Sequence, residues 1–442
     1  MNHDEVMRLT TRHTFATWRP QKNWTPLHVV DAEGSHFITH DGRRILDFSS
    51  QLVCSSLGHK NEAVTNAIIA QARKLAYVSP AFACDVRAEL AAKLLEVMPR
   101  GLEKFFFSTS GTDANECSFK IARLVTGRHK IVSRYASYHG STPGSMATTG
   151  DARRILNEPH SVLPGHLHAP ECNCYRCPLN LRPHDCATAC VEYFDYMLSR
   201  EGNVAAVIVE TIVGTNGALV PPDAYLPRLR EITKKHGALL IADEVMTGWG
   251  RTGAWFAVDH WKVQPDILVT AKGATGATVP LGITAVTREV ADHFEENYFP
   301  HGHTYEAHPM TLAPAIAAID ESKRLDLVNR ARRLGEVLGA KLRALAATHP
   351  SVGDVRGRGL LWAVEIVRDR ATREPFNVPA DKLSFKPLMV EKVAAEMMKK
   401  GVYVLPWMSH FVIAPPLIVT EDEIAAGVAA LDEALSIADA AL

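Results

Sequence analysis

The sequence predicts an α/β protein whose larger part is a mainly parallel sheet and whose C-terminal part is a smaller α+β unit. Three observations carry this. From about residue 61, short apolar runs alternate with helix-length segments. Those runs are continuous rather than alternating, which marks strands buried on both faces of a parallel sheet. After about residue 315 the pattern changes to long helical stretches separated by isolated strands, and 442 residues are too many for one compact core.

Residues 1–60 read as an N-terminal arm that joins the small domain, 61–315 as the large domain, and 316–442 as the small domain. In the arm, Asp41 and Gly42 stand between two β-prone runs, so 34–47 reads as a hairpin. Strand candidates in the large domain are 104–108, 130–135, 205–210, 238–245, 267–272 and 282–286. A helix follows Ser110, because Ala114, Cys117, Ile121, Ala122 and Val125 recur at helical spacing. The small domain opens with one long helix over 313–348, ending before Pro350. A strand at 360–367, a helix over 387–400 and strands at 402–405 and 411–414 follow, and Pro415 and Pro416 stop the last of these. Thr420 and Glu423 are a capping box for the final helix.

Composition excludes several classes of function. Lys and Arg total 48 against 49 for Asp and Glu, a net charge of −1, which leaves no basic footprint for nucleic acid. No apolar run is long enough to span a bilayer, and the opening residues lack a basic-then-apolar leader. A cytoplasmic, reducing location is therefore expected, with no membrane partner. Of the eight Cys, Cys172, Cys174, Cys177, Cys186 and Cys190 cluster. Four thiolates there would suit a structural zinc, but the spacing of the second pair is less typical. The loop at 170–190 is read as holding reduced, partly buried thiols and no metal.

The chemistry centres on Lys272 and Asp243. Each closes a buried strand, and a carboxylate or an amine there is costly as mere packing. The two make sense at opposite ends of one cofactor. The amine would form an imine with an aldehyde, and the carboxylate would hold a ring nitrogen protonated, the arrangement of pyridoxal phosphate (PLP) chemistry. Glu244 would point the other way and is read as structural. Ser110, Gly111 and Thr112 follow a strand and open a helix, so free N–H groups and the dipole suit a phosphate there, the alternative being an ordinary N-cap turn. Tyr138 ends a strand where it would stack on a flat ring, or else belongs to the core. Small residues after Lys272, from Gly273 to Gly282, leave room for a ring.

Together these segments resemble the class III (omega) aminotransferases. The matching stretches are 107–116, Tyr138-His139-Gly140, Glu210, 241–253, 271–273, 303–309 and 414–418. The resemblance implies PLP-dependent fold type I, with a seven-stranded sheet in the large domain. It also implies a homodimer, possibly a tetramer, with sites at the subunit interface. Lys272 would be the Schiff-base lysine, with Asp243 at the pyridine nitrogen. Val245 would lie behind the ring and Tyr138 in front. Ser110, Gly111 and Thr112 would hold the phosphate, joined by Thr304 from the partner subunit. Glu210 would sit by the ring hydroxyl or gate the substrate side.

Two positions depart from the family pattern. Leu405 stands where many amine-accepting members carry a carboxylate-gripping Arg, and Val53 replaces an aromatic of the first pocket wall. Trp18 and Arg19 in the arm, with Trp407 or His410, become candidates for meeting the substrate anion. The expected reaction transfers an amino group from a primary amine or omega-amino acid of the taurine, beta-alanine or 4-aminobutyrate type. The acceptor would be a 2-oxo acid, pyruvate or 2-oxoglutarate, in a ping-pong cycle. Decarboxylation, racemisation or an aminomutase reaction on the same fold are the alternatives, followed by a non-catalytic PLP- or metal-binding protein.

Overall fold

The computed structural model describes residues 1–22, 24–158 and 163–442. Seven strands form the large sheet: β1 (Leu102–Ser108), β2 (Lys130–Arg134), β3 (His166–Ala169), β4 (Val204–Glu210), β5 (Leu239–Asp243), β6 (Ile267–Thr270) and β7 (Gly282–Thr287). Their spatial order is β1-β7-β6-β5-β4-β2-β3. β7 is antiparallel to both neighbours, and every other pair is parallel. The α/β class and the mainly parallel seven-stranded sheet are therefore as expected. All of β4 and β6 is buried, which is why both read as unbroken apolar runs.

Register fixes the centre of the molecule. Glu210 pairs with Asp243, and Asp243 with Val269, so two carboxylates end adjacent parallel strands. Ligands of open α/β sheets bind beyond such carboxyl ends. Helix α1 (Gly111–Thr126) buries Ala114, Cys117, Ile121 and Ala122 against Ile208, Ile241 and Val269. That contact aims the helix N-terminus at the same end of the sheet.

Several elements differ from the sequence expectation. β3 went unread because His166 and His168 break the apolar run, and it needs none, being an edge strand with only Ala169 fully buried. The long helix at 313–348 is two helices, α2 (Pro309–Arg324) and α3 (Leu327–Thr348). Asp326 breaks them apart with φ 49°, and neither Gly nor Pro marks the place. The run at 402–405 also divides. Val402–Tyr403 pairs in parallel with Arg44–Asp47, whereas Leu405–Trp407 pairs with His410–Ile413. Strand β6 stops at Thr270, and Lys272 opens a short 3-10 turn, Lys272–Thr275.

The chain ends share one core. Leu46, Phe48 and Leu57 pack with Leu334, Leu338, Leu431 and Leu435. Buried Arg251, from the glycine-rich stretch after β5, donates to Ser50 Oγ and to the carbonyls of Leu360 and Pro415, tying both chain ends to the large sheet. The five clustered thiols line one narrow cavity beside Pro222, and burial with mutual repulsion pushes the Cys190 thiol up to about 12. No helix among the described residues is long and apolar enough to cross a membrane.

Candidate active site

A cavity of about 370 Å³ opens where β4, β5 and β6 end and α1 begins. Ser110, Gly111 and Thr112 line one end. Tyr138, Glu210, Asp243, Val245 and Lys272 line the rest. The structure thus brings together every residue expected at the cofactor except Thr304, which is exposed outside this cavity and offers its carbonyl to Tyr77 Oη.

The anion end is built from the start of α1. Ser110 caps the helix, its Oγ accepting from Asp113 N at 3.1 Å. The cap reading and the phosphate reading therefore coexist, because the N–H groups of Gly111 and Thr112 remain ahead of that cap. Space there is tight. A Cβ on Gly111 would stand 3.0 Å from Val245 Cγ2, and one on Gly140 would stand 2.5 Å from Thr112 Oγ1. Gly140 also has φ 143°, which L side chains rarely adopt.

Asp243 sits in a complete set of donors. Its Oδ2 faces His139 Nδ1 at 2.8 Å and accepts from Asn115 Nδ2 at 3.0 Å. Its Oδ1 accepts from Val245 N at 3.0 Å. The sequence reading missed His139 and Asn115 as its partners. A buried carboxylate demands partners, but only the fold shows which groups supply them. His139 Nε2 and Asn115 Oδ1 are buried with no hydrogen-bond partner among the described residues. Glu244, by contrast, accepts from Thr211, Thr247, Ala257 N and Val258 N behind the strand, and burial pushes its carboxyl up to about 7.

Lys272 is held in the left-handed region with φ 47°, a strained conformation of the kind that clusters at functional sites. Burial lowers its pKa. Cys54, Asp243 and Glu210 oppose that, and Arg153 adds to it. Glu210 accepts from Tyr138 N at 3.0 Å and Gly214 N at 2.7 Å, and burial raises its pKa. It therefore positions the backbone under Tyr138.

The cation missing at Leu405 has a counterpart that the sequence reading did not find. The buried Arg153 guanidinium lies 3.7 Å from the Tyr138 ring centre, 4.5 Å from that of Trp407 and 5.8 Å from that of Trp18. Trp18 meets Tyr138 edge-on at 6.2 Å. Asp151 binds Arg153 through Nε and Nη2, leaving Nη1 without a hydrogen bond among the described residues. Trp407 Nε1 donates to Asn216, which donates to Asp151. No motif in the sequence marks Arg153, which stands beside a second arginine, Arg154, in a stretch without a chemical signature. Arg19 is exposed. Val53 is buried in the core, and its neighbour Cys54 lines the cavity. His410 is buried elsewhere, bonded to the Thr215 carbonyl. Leu405 lies on a small-domain strand, its N–H donating to Ser49 Oγ.

A flat, phosphate-bearing ring fits this cavity. The tight glycine cradle lies at a helix N-terminus, an aromatic and Val245 line the walls, and a fully partnered carboxylate and an amine complete it. The family model for class III aminotransferases matches residues 17–435. The chain is 37% identical to an uncharacterized aminotransferase, YhxA, of Bacillus subtilis (strain 168), covering 89% of this chain and 88% of that protein. It is 32% identical to a leucine/methionine racemase of Thermococcus litoralis, covering 93% and 91%. Among solved structures, taurine:2-oxoglutarate aminotransferase from Bifidobacterium kashiwanohense, in complex with PLP and glutamate, superposes with a TM-score of 0.94 at 34% identity, covering 100% of this chain and 99% of that one. The chain belongs to the class III aminotransferases and is an enzyme of that family.

Proposed function

We propose that the protein transfers an amino group from an omega-amino acid carrying a terminal acid, of the taurine, beta-alanine or 4-aminobutyrate type, to pyruvate or 2-oxoglutarate. Class III aminotransferases are PLP-dependent, and so is this enzyme. The observation that carries the finer reading is Arg153. It is a cation stacked on Tyr138, which lines the cavity, with Nη1 free of a hydrogen bond among the described residues and close enough to bear on Lys272. Nη1 can donate a charge-assisted hydrogen bond to one oxygen of a sulfonate or carboxylate. Likeness to the taurine:2-oxoglutarate enzyme supports a taurine-like donor.

Bound PLP supplies an aldehyde that links to amines and a ring that accepts electron density. The residues do the rest. Ser110, Gly111 and Thr112 would hold the phosphate, and Val245 and Tyr138 would line the two faces of the ring. Asp243, oriented by His139 and Asn115, would meet the ring nitrogen. Lys272 anchors the resting cofactor. Its Nζ is the base that would take the proton from the amine-bearing carbon of the substrate, and its lowered pKa favours the neutral amine this needs. Glu210 keeps Tyr138 in place, and Arg153 would hold the terminal acid of the donor and a carboxylate of the acceptor in turn. The active form is a homodimer, in which Thr304 of each chain completes the phosphate site of the other.

Lys272→Ala tests the core of this reading. The purified variant is expected to lose the absorbance of the lysine-linked cofactor and all turnover, and normal turnover would end the hypothesis. A panel of amine donors crossed with pyruvate and 2-oxoglutarate separates transamination from racemisation or decarboxylation, since only transamination delivers the amino group to the added acceptor.

A further inference from the structure

Far along the chain from the cofactor cavity, three imidazoles from three separate segments meet. His3 opens the helix His3–His13. His28 leads into the strand Val29–Glu33, and His40 follows the strand His36–Thr39. A backbone bond from His40 N to the His28 carbonyl, 3.0 Å, sets those two side by side. His3 crosses to them, its Nδ1 lying 3.0 Å from His28 Nδ1. The His3 and His40 rings are stacked at 3.6 Å. One ring nitrogen from each of the three lies within 4.8 Å of the others, the sole such donor group of three or more among the described residues.

Packing gives little reason for this cluster. No residue of the helix His3–His13 is fully buried, and Val6, Met7 and Leu9 are only partly covered. Three imidazoles this close repel one another if protonated together. Imidazole is, however, the preferred ligand of divalent late-transition ions. Nitrogens at about 2.0–2.1 Å from one tetrahedral Zn²⁺ stand roughly 3.3 Å apart, and those of His3 and His28 are 3.0 Å apart, so a small opening of the pair admits the ion. His40 is exposed at the end of its strand, and a turn about its side-chain torsions brings its nitrogen to the same point.

We propose that His3, His28 and His40 bind one divalent ion of the Zn²⁺, Co²⁺ or Ni²⁺ class, which fastens the N-terminal helix to the adjoining hairpin. The three neutral imidazoles occupy three positions, and water fills the open side. The consequence reaches the cofactor cavity, because Trp18, which meets Tyr138 edge-on, follows this helix by a few residues.

The test titrates chelator-stripped holoenzyme with Co²⁺ by calorimetry and visible absorbance. One ion per chain is expected, with weak ligand-field bands and no near-ultraviolet sulfur-to-metal transition, which separates this site from the five-thiol loop. His40→Gln changes an exposed side chain, and its unchanged cofactor absorbance will show that it folds. It is expected to bind roughly tenfold or more weakly. Zn²⁺ is expected to slow proteolysis within residues 1–20 of the wild type and not of this variant. Wild-type affinity in His40→Gln, a spectrum dominated by thiolate, or no binding at millimolar Co²⁺ would each overturn the proposal.

Discussion

At the scale of single residues, the division of labour around Asp243 decides what the site does. The side chains of His139 and Asn115 and one backbone N–H satisfy its oxygens, and both side chains are almost wholly enclosed. Removing a hydrogen bond to a charged group costs about 1.5–3 kcal/mol, or roughly ten- to a hundredfold in rate if the bond strengthens in the transition state. His139→Leu should therefore lower kcat by that factor and leave KM for the amine nearly unchanged. Steady-state kinetics with one donor checks it, and a change confined to KM would contradict the assigned role. Arg153 should behave in the opposite sense. Arg153→Gln is expected to raise KM about tenfold or more for an omega-amino acid with a terminal acid, while an uncharged primary amine is turned over as before. Equal losses with both donors would place Arg153 in the scaffold instead. The two residues also mark what was legible in the sequence. Lys272 and Asp243 stood out because a charge closing an apolar strand needs a reason. His139 and Arg153 did not, because their significance depends on which loop the fold lays beside the sheet.

At the scale of elements, the sheet was legible wherever burial alone wrote the pattern. β4, β5 and β6 are unbroken apolar runs because both faces are covered, whereas β3 carries two histidines because its edge position leaves them short of full burial. The break at Asp326 was invisible because the residues on either side continue a helical period, and the turn is imposed by the need to bury both Ile319 and Leu327. The pairing of Arg44–Asp47 with Val402–Tyr403 was likewise unreadable, since two short β-prone runs hundreds of residues apart carry no mark of each other. That junction is nevertheless tightly packed. Phe48 is fully buried beneath the last helix, Glu421–Asp439, and a Cβ on Gly427 would stand 2.5 Å from its ring. Overpacking of this kind costs about 1–3 kcal/mol. Gly427→Ala should lower the thermal midpoint accordingly, and a midpoint equal to or above that of the wild type would show that the arm yields freely.

At the scale of the whole molecule, buried histidines set the response to acid. His166 is lowered to about 4 by burial and by Arg123, His168 by burial and by Arg154, and His410 by burial and by Arg356. In the unfolded chain each titrates near 6.5. Between those values the unfolded chain binds more protons than the folded one, so stability rises with pH there and is lost as pH falls from about 6.5 toward 4. Glu244 acts in the other direction. Its folded pKa is about 7 against 4.5 unfolded, so its contribution is full at low pH and lost as pH rises through 7. Burial raises Glu171, Glu210 and Asp259 as well, but His260 and His301 are also lowered to about 4, and the five histidines prevail. Denaturant unfolding at a series of pH values should therefore show stability falling steadily from pH 6.5 to 4.5, with only a shallow further change above 7. The slope in the acid interval reports the net uptake of protons on unfolding. A flat or inverted profile there would mean that these imidazoles are solvated in the folded protein, and that the edge strand β3 and the small-domain strand His410–Ile413 are looser than their packing indicates.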